Sequence, residues 1–145
     1  MKTIEHLYSV EECWQVAAKF AELLQPGMVL ALHGDLGSGK TTFMQGVAAA
    51  LGVHRAVTSP TFTLSNEYQT GSFKLVHMDL YRLAKVDDLD ALGFNEHLES
   101  GAVVAVEWPE RAAEFIPESA WHIYFEIGEE LEERLVTITM KCALE

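Results

Sequence analysis

His33-Gly-Asp-Leu-Gly-Ser-Gly-Lys-Thr-Thr42, HGDLGSGKTT, decides how this chain folds. It follows the apolar run Met28–Leu32, which the turn pair Pro26-Gly27 introduces. A run that is apolar at every position reads as a strand buried on both faces. Past the glycines, Phe43, Val47, Ala50 and Leu51 recur on one helical face, and Gly52 suits a helix C-terminus. Strand, glycine-rich loop and helix are therefore predicted in succession.

Gly34 to Thr41 fits G-x-x-x-x-G-K-[ST], the P-loop pattern. Glycines let consecutive backbone N–H groups turn inward around phosphate oxygens without Cβ clashes. The helix that follows adds its positive N-terminal end to the same anion. Lys40 is placed to neutralise β- and γ-phosphate charge, and the Thr41 hydroxyl to ligate Mg²⁺. The candidate nucleotide-binding residues are Asp35, Leu36, Gly37, Ser38, Gly39, Lys40, Thr41 and Thr42.

Composition narrows the classes. The chain has 145 residues, 49% of them hydrophobic, which is enough for one globular domain with its own core. Twenty-two acids against ten bases give a formal charge of −12. Nucleic-acid binding relies on Lys and Arg displacing counterions, so direct binding of RNA or DNA is disfavoured. The charge reads either as a solvated acidic face or as a patch for a basic partner. Cys13 and Cys142 show no CxxC or His spacing, so neither a disulfide framework nor a structural metal is expected. With no signal-peptide pattern and no apolar run of spanning length, the chain is expected in the cytoplasm.

Ser9-Val-Glu-Glu12 has capping-box form, and apolar spacing through Leu24 predicts a helix from Val10 to about Gln25. Thr63–Gln69 and Phe73–Met78, around Thr70-Gly71-Ser72, read as a β-hairpin. Asp87–Leu92 reads as a short acidic helix stopped at Gly93. Ala102–Val106 is a second run apolar on both faces, and Trp121–Ile127 with Leu135–Met140 form a closing strand pair. The expected fold is α/β, a P-loop NTPase-like three-layer sandwich around a mixed, partly antiparallel sheet, with residues 1–145 as a single P-loop ATPase domain.

A P-loop also needs an acid at a neighbouring strand tip for Mg²⁺. Asp79 and Glu107 both end apolar strands and converge on the ligand crevice. Glu107 follows the cleaner buried strand and is assigned to metal; Asp79 is left to order water. The two roles are interchangeable on sequence alone. Ser59–Thr63 is either a γ-phosphate-sensing segment or a plain loop, and Trp108 reads first as a core or rim aromatic. His33 and His77 sit beside motif residues with no carboxylate partner evident, and read as satisfied neighbours. No guanine-reading Asn/Thr-Lys-x-Asp motif occurs, which favours ATP. Nor does an arginine-rich lid, since Arg55, Arg82, Arg111 and Arg134 are isolated.

GDLGSGKTT (Gly34–Thr42), SPTFTL (Ser59–Leu64), NEY (Asn66–Tyr68), HMDLYRL (His77–Leu83), LGFNE (Leu92–Glu96) and VEWPE (Val106–Glu110) occur in this order. Together they resemble the TsaE (YjeE) family, P-loop ATPases needed for threonylcarbamoyl adenosine modification of tRNA. The resemblance implies ATP and Mg²⁺ as cofactors and the TsaB–TsaD complex as partner, with ATP turnover resetting that complex. It implies Thr41 and Glu107 as Mg²⁺ ligands, Asp79 and Trp108 as residues needed for activity, and Ser59–Thr63 as a switch. Arg134 resembles a basic residue packed over the nucleotide. Cys13 stands where family members often carry a threonine near the adenine, and a thiol is a poor hydrogen-bond partner. Two other readings compete: a small-metabolite kinase with Asp79 as base, and a nucleotide-gated interaction module with negligible turnover.

Overall fold

The computed structural model describes residues 2–85 and 87–140, so Cys142 lies outside the described residues. They form a seven-stranded sheet. Its strands are β1 (Lys2–Leu7), β2 (Val29–His33), β3 (Ser65–Gln69), β4 (Lys74–Asp79), β5 (Val103–Glu107), β6 (Trp121–Ile127) and β7 (Arg134–Met140). The order across the sheet is β1-β7-β6-β2-β5-β4-β3. Strands β6, β2, β5 and β4 run parallel, while β1–β7, β6–β7 and β3–β4 pair antiparallel. The expected α/β class with a partly antiparallel sheet is the fold observed.

The helices are α1 (Val10–Ala21), α2 (Lys40–Ala50), α3 (Asp88–Ala91) and α4 (Phe94–Glu99), with a 3-10 stretch over Pro109–Phe115. The capping box closes α1 from both sides. Ser9 Oγ accepts from Glu12 N–H at 3.1 Å, and Glu12 Oε2 accepts from Tyr8 N–H at 2.7 Å. The helix ends before Gln25 because its last turn tightens: Leu23 N–H bonds to Phe20 O and Leu24 N–H to Ala21 O, three residues back. Pro26 then disfavours helical backbone at Gln25.

Helices α1 and α2 cover one face of the sheet, over a core of Phe20, Leu30, Leu32, Phe43, Ile123 and Val136. On the other face, α3, α4 and the 3-10 stretch enclose Val76, Met78, Leu89, Phe94, Val104 and Val106. Strands β2 and β5 supply side chains to both cores, which is why their sequences are apolar at every position.

Three elements were not evident in the sequence. β1 has only alternating partial burial and takes its place by pairing with β7, Ile4 opposite Thr137. Gly93, at φ 76°, ends α3 where its helix was expected to stop and lets α4, which was not expected, begin at once. The third is the Pro109–Phe115 stretch, begun by a proline at its first position.

Candidate functional site

Parallel register brings the acids together before any side chain is considered. Asp79, last in β4, lies opposite Glu107, last in β5, and Glu107 lies opposite Leu32 of β2. One residue beyond β2 the chain enters the glycine loop, so loop and acids share the carboxyl edge of the sheet, where α/β folds bind ligands. A cavity of about 550 Å³ opens there. It is lined by Leu36, Gly37, Gly39, Lys40, Thr41 and Thr42 from the loop and α2, by Asp79, Glu107 and Trp108, and by Arg134. Ser9, Val10 and Cys13 line it from the first turn of α1.

The loop is shaped as a cradle. Gly37 and Gly39 take φ of 80° and 111°, backbone that favours glycine. A Cβ on Gly34 would stand 2.5 Å from Ser38 Oγ and 2.9 Å from Phe125 O, so no other residue fits. Ser38 is buried beneath the loop, and its hydroxyl has no hydrogen-bond partner among the described residues. Asp35 lines a side notch with His33, Trp108 and Glu110.

Lys40 is buried at 6% exposure, an expensive place for an ammonium without partners. Its Nζ donates to Gly34 O at 2.5 Å, stands 3.5 Å from Glu107 Oε1, and lies 4.7 Å from the centre of the Trp108 ring. Trp108 holds left-handed backbone, φ 57°, which turns the chain sharply after β5. Tyr81 packs against its ring at 4.9 Å.

His77 is a neighbour of the site, as expected, and the structure adds the partner its sequence did not show. That partner is a carboxylate: Nε2 stands 2.6 Å from Glu107 Oε2, and the ring is wholly buried. Its Nδ1 has no partner among the described residues. Two residues before Asp79 on β4, His77 points to the same face as that acid, as strand periodicity requires. The H-x-D spacing was the available signal. Burial pushes the Glu107 carboxyl up, but the His77 hydrogen bond and the His77 and Lys40 charges outweigh it and hold the group below the usual carboxylate range.

Asp79 is engaged differently. Oδ1 accepts from Tyr81 N–H at 2.8 Å and Oδ2 from Thr61 Oγ1 at 3.2 Å. That second bond links it to the Ser59–Thr63 segment, whose Ser59 and Thr61 also line the cavity. Arg134 Nη2 donates to Gly37 O at 3.2 Å and so braces the glycine loop from β7. Burial pushes the Cys13 thiol up to about 11, leaving it an uncharged wall of the cavity. Among the described residues, no group of three or more His, Cys, Asp or Glu is placed to hold a metal ion. No described helix is long and apolar enough to cross a membrane.

The family model described as "Threonylcarbamoyl adenosine biosynthesis protein TsaE" matches residues 7–136. The chain belongs to the TsaE family. Among curated relatives, the tRNA threonylcarbamoyladenosine biosynthesis protein TsaE of Bacillus subtilis (strain 168) is 41% identical over 129 residues, covering 89% of this chain and 80% of the relative. That of Aquifex aeolicus (strain VF5) is 48% identical over 107 residues, 72% of this chain and 75% of the relative. Among solved structures, the crystal structure of Bacillus subtilis YdiB superposes with a TM-score of 0.80 at 33% identity, covering 98% of this chain and 87% of that one. TsaE membership spans the glycine loop, both strand-tip acids and Arg134 alike.

Proposed function

We propose that this chain is a Mg²⁺-dependent ATPase that serves threonylcarbamoyl adenosine modification of tRNA as an accessory subunit, working through the complex of the TsaB and TsaD proteins. Family membership supports the pathway. The observation that carries the chemistry is the cavity itself, where a glycine cradle, a buried ammonium and two adjacent strand-tip carboxylates face one volume. The residues fit the groups they would take. The Gly34 crowding and the unpartnered Ser38 hydroxyl describe a loop built around something other than its own side chains.

Lys40 would exchange Gly34 O and Glu107 for β- and γ-phosphate oxygens, with Trp108 stacked against it to limit where the ammonium can go. Thr41 and Glu107 would hold Mg²⁺, completed by phosphate oxygens and water, the donor set this ion prefers over an all-protein cage. Bound there, Mg²⁺ neutralises charge on the phosphoryl oxygens. His77 fixes Glu107 Oε2, leaving Oε1 directed at Lys40. Asp79 would order water; with hydrogen bonds already on both oxygens, it suits that role better than base for a kinase substrate. This chain offers the cavity Arg134, but that residue is tied to Gly37 O, so turnover alone is slow and a partner raises it.

ATP hydrolysis measured with and without the two partner proteins tests the reading. Weak turnover alone that rises on adding both supports it. Unchanged turnover and no complex on gel filtration would refute it. Glu107→Ala that still binds ATP but fails to restore tRNA modification in cells shows that turnover, not gating, is required.

A further inference from the structure

The segment from Thr58 to Leu64 lines the cavity through Ser59 and Thr61 yet belongs to no helix or strand. One side chain on the neighbouring strand fixes its two ends. Asn66, in β3, donates from Nδ2 to Thr58 O at 3.3 Å and to Thr58 Oγ1 at 3.4 Å. Its Oδ1 accepts from Thr63 Oγ1 at 2.8 Å. A carboxamide donates and accepts at once, which a carboxylate of the same shape cannot do.

Inside this clamp the loop is closed on itself. Leu64 N–H bonds to Pro60 O at 2.7 Å, and the Ser59 and Thr61 hydroxyls share a hydrogen bond at 2.8 Å. Thr61 then reaches Asp79. The closure has a conformational cost, since Leu64 sits at φ 68°, left-handed backbone for a residue with a full side chain. Such backbone persists where its surroundings over-determine it. Asn66 supplies that constraint from outside the cavity, which it does not line.

We propose that Asn66 is a positioning residue of the nucleotide site. By clamping Thr58 to Thr63, it holds the Ser59 and Thr61 hydroxyls, and through Thr61 the Asp79 carboxylate, in the arrangement that tells a nucleoside triphosphate from a diphosphate. This rests on the ATP reading above and adds a residue to it. The glycine loop lies between β2 and α2, Lys40 opens α2, and among the described residues neither hydrogen-bonds to Asn66, so releasing the clamp leaves the grip on a diphosphate in place.

The test is calorimetry in Mg²⁺ with ADP and with a non-hydrolysable ATP analogue, on the wild type, Asn66→Asp and Thr63→Val. Asn66→Asp keeps the acceptor for Thr63 but sets a carboxylate oxygen against Thr58 O. Thr63→Val cuts the other arm at an exposed position. In each variant ADP affinity stays within about twofold of wild type, and analogue affinity falls roughly five- to tenfold, the worth of one or two neutral hydrogen bonds. Variants with the wild-type ratio of the two affinities overturn the proposal. So does equal weakening of both nucleotides, which marks Asn66 as merely structural. A wild type that binds neither nucleotide removes the ATP reading and this proposal together. If circular dichroism shows Asn66→Asp unfolded, Thr63→Val decides.

Discussion

Lys40, Glu107 and His77 form one buried chain of polar contacts, with Lys40 at 6% and Glu107 at 4% exposure. Under the ATP reading Lys40 is the cation for the phosphates, so titration of Lys40→Ala with Mg²⁺ and ATP gives no heat where the wild type does. Glu107 has a folded pKa below its ordinary 4.5, so the unfolded state binds its proton first as pH falls. Its contribution to stability is present above about pH 4.5 and is lost as pH falls through the lower folded value. Urea midpoints of wild type and Glu107→Gln, compared from neutral pH downward, therefore converge below about pH 4.5. A difference that stays constant with pH contradicts the pairing.

At the scale of elements, the contact between α1 and α2 sets where the P-loop helix points. Gly46 makes it possible: a Cβ there would meet Ala17 Cβ at 2.7 Å and Trp14 Cα at 3.0 Å. Both obstacles are tied to backbone, so the helices themselves must separate. Gly46→Val is expected to lower stability by about 2 kcal/mol, an overpacking penalty, despite replacing a weak helix former. Urea denaturation followed by circular dichroism measures it. A neutral or stabilising result shows the helices are free to move apart. Phe43 anchors the same helix to the sheet, wholly buried between Phe20 and Phe125. Phe43→Ala costs about 3–5 kcal/mol by the same measurement.

For the whole molecule, the site joins parts distant in sequence: α1, the glycine loop, β4, β5 and β7 all reach one cavity. A ligand bridging them stabilises the folded state by mass action, about 2.7 kcal/mol at a hundredfold excess over Kd. Thermal melts of the wild type therefore shift upward with Mg²⁺ and ATP, while Lys40→Ala melts do not move. A melt insensitive to nucleotide in the wild type contradicts a cavity built for it.

Local pattern was enough to read the P-loop, its flanking strand and helix, the capping box at Ser9 and the β6–β7 pair. Each depends on neighbours a few residues apart, and periodicity records those. It was also enough to name Asp79 and Glu107 as strand-tip acids. Pairing decided the rest. β1 is recognisable only beside β7, because one residue in six of it is buried. His77 meets Glu107 because β4 and β5 lie in parallel register, thirty residues apart in the chain. Asn66 reaches both ends of the Thr58–Leu64 loop because β3 folds back along β4. Sequence carries short-range regularity, whereas a hydrogen bond between distant side chains exists only once the sheet has set the distance between them.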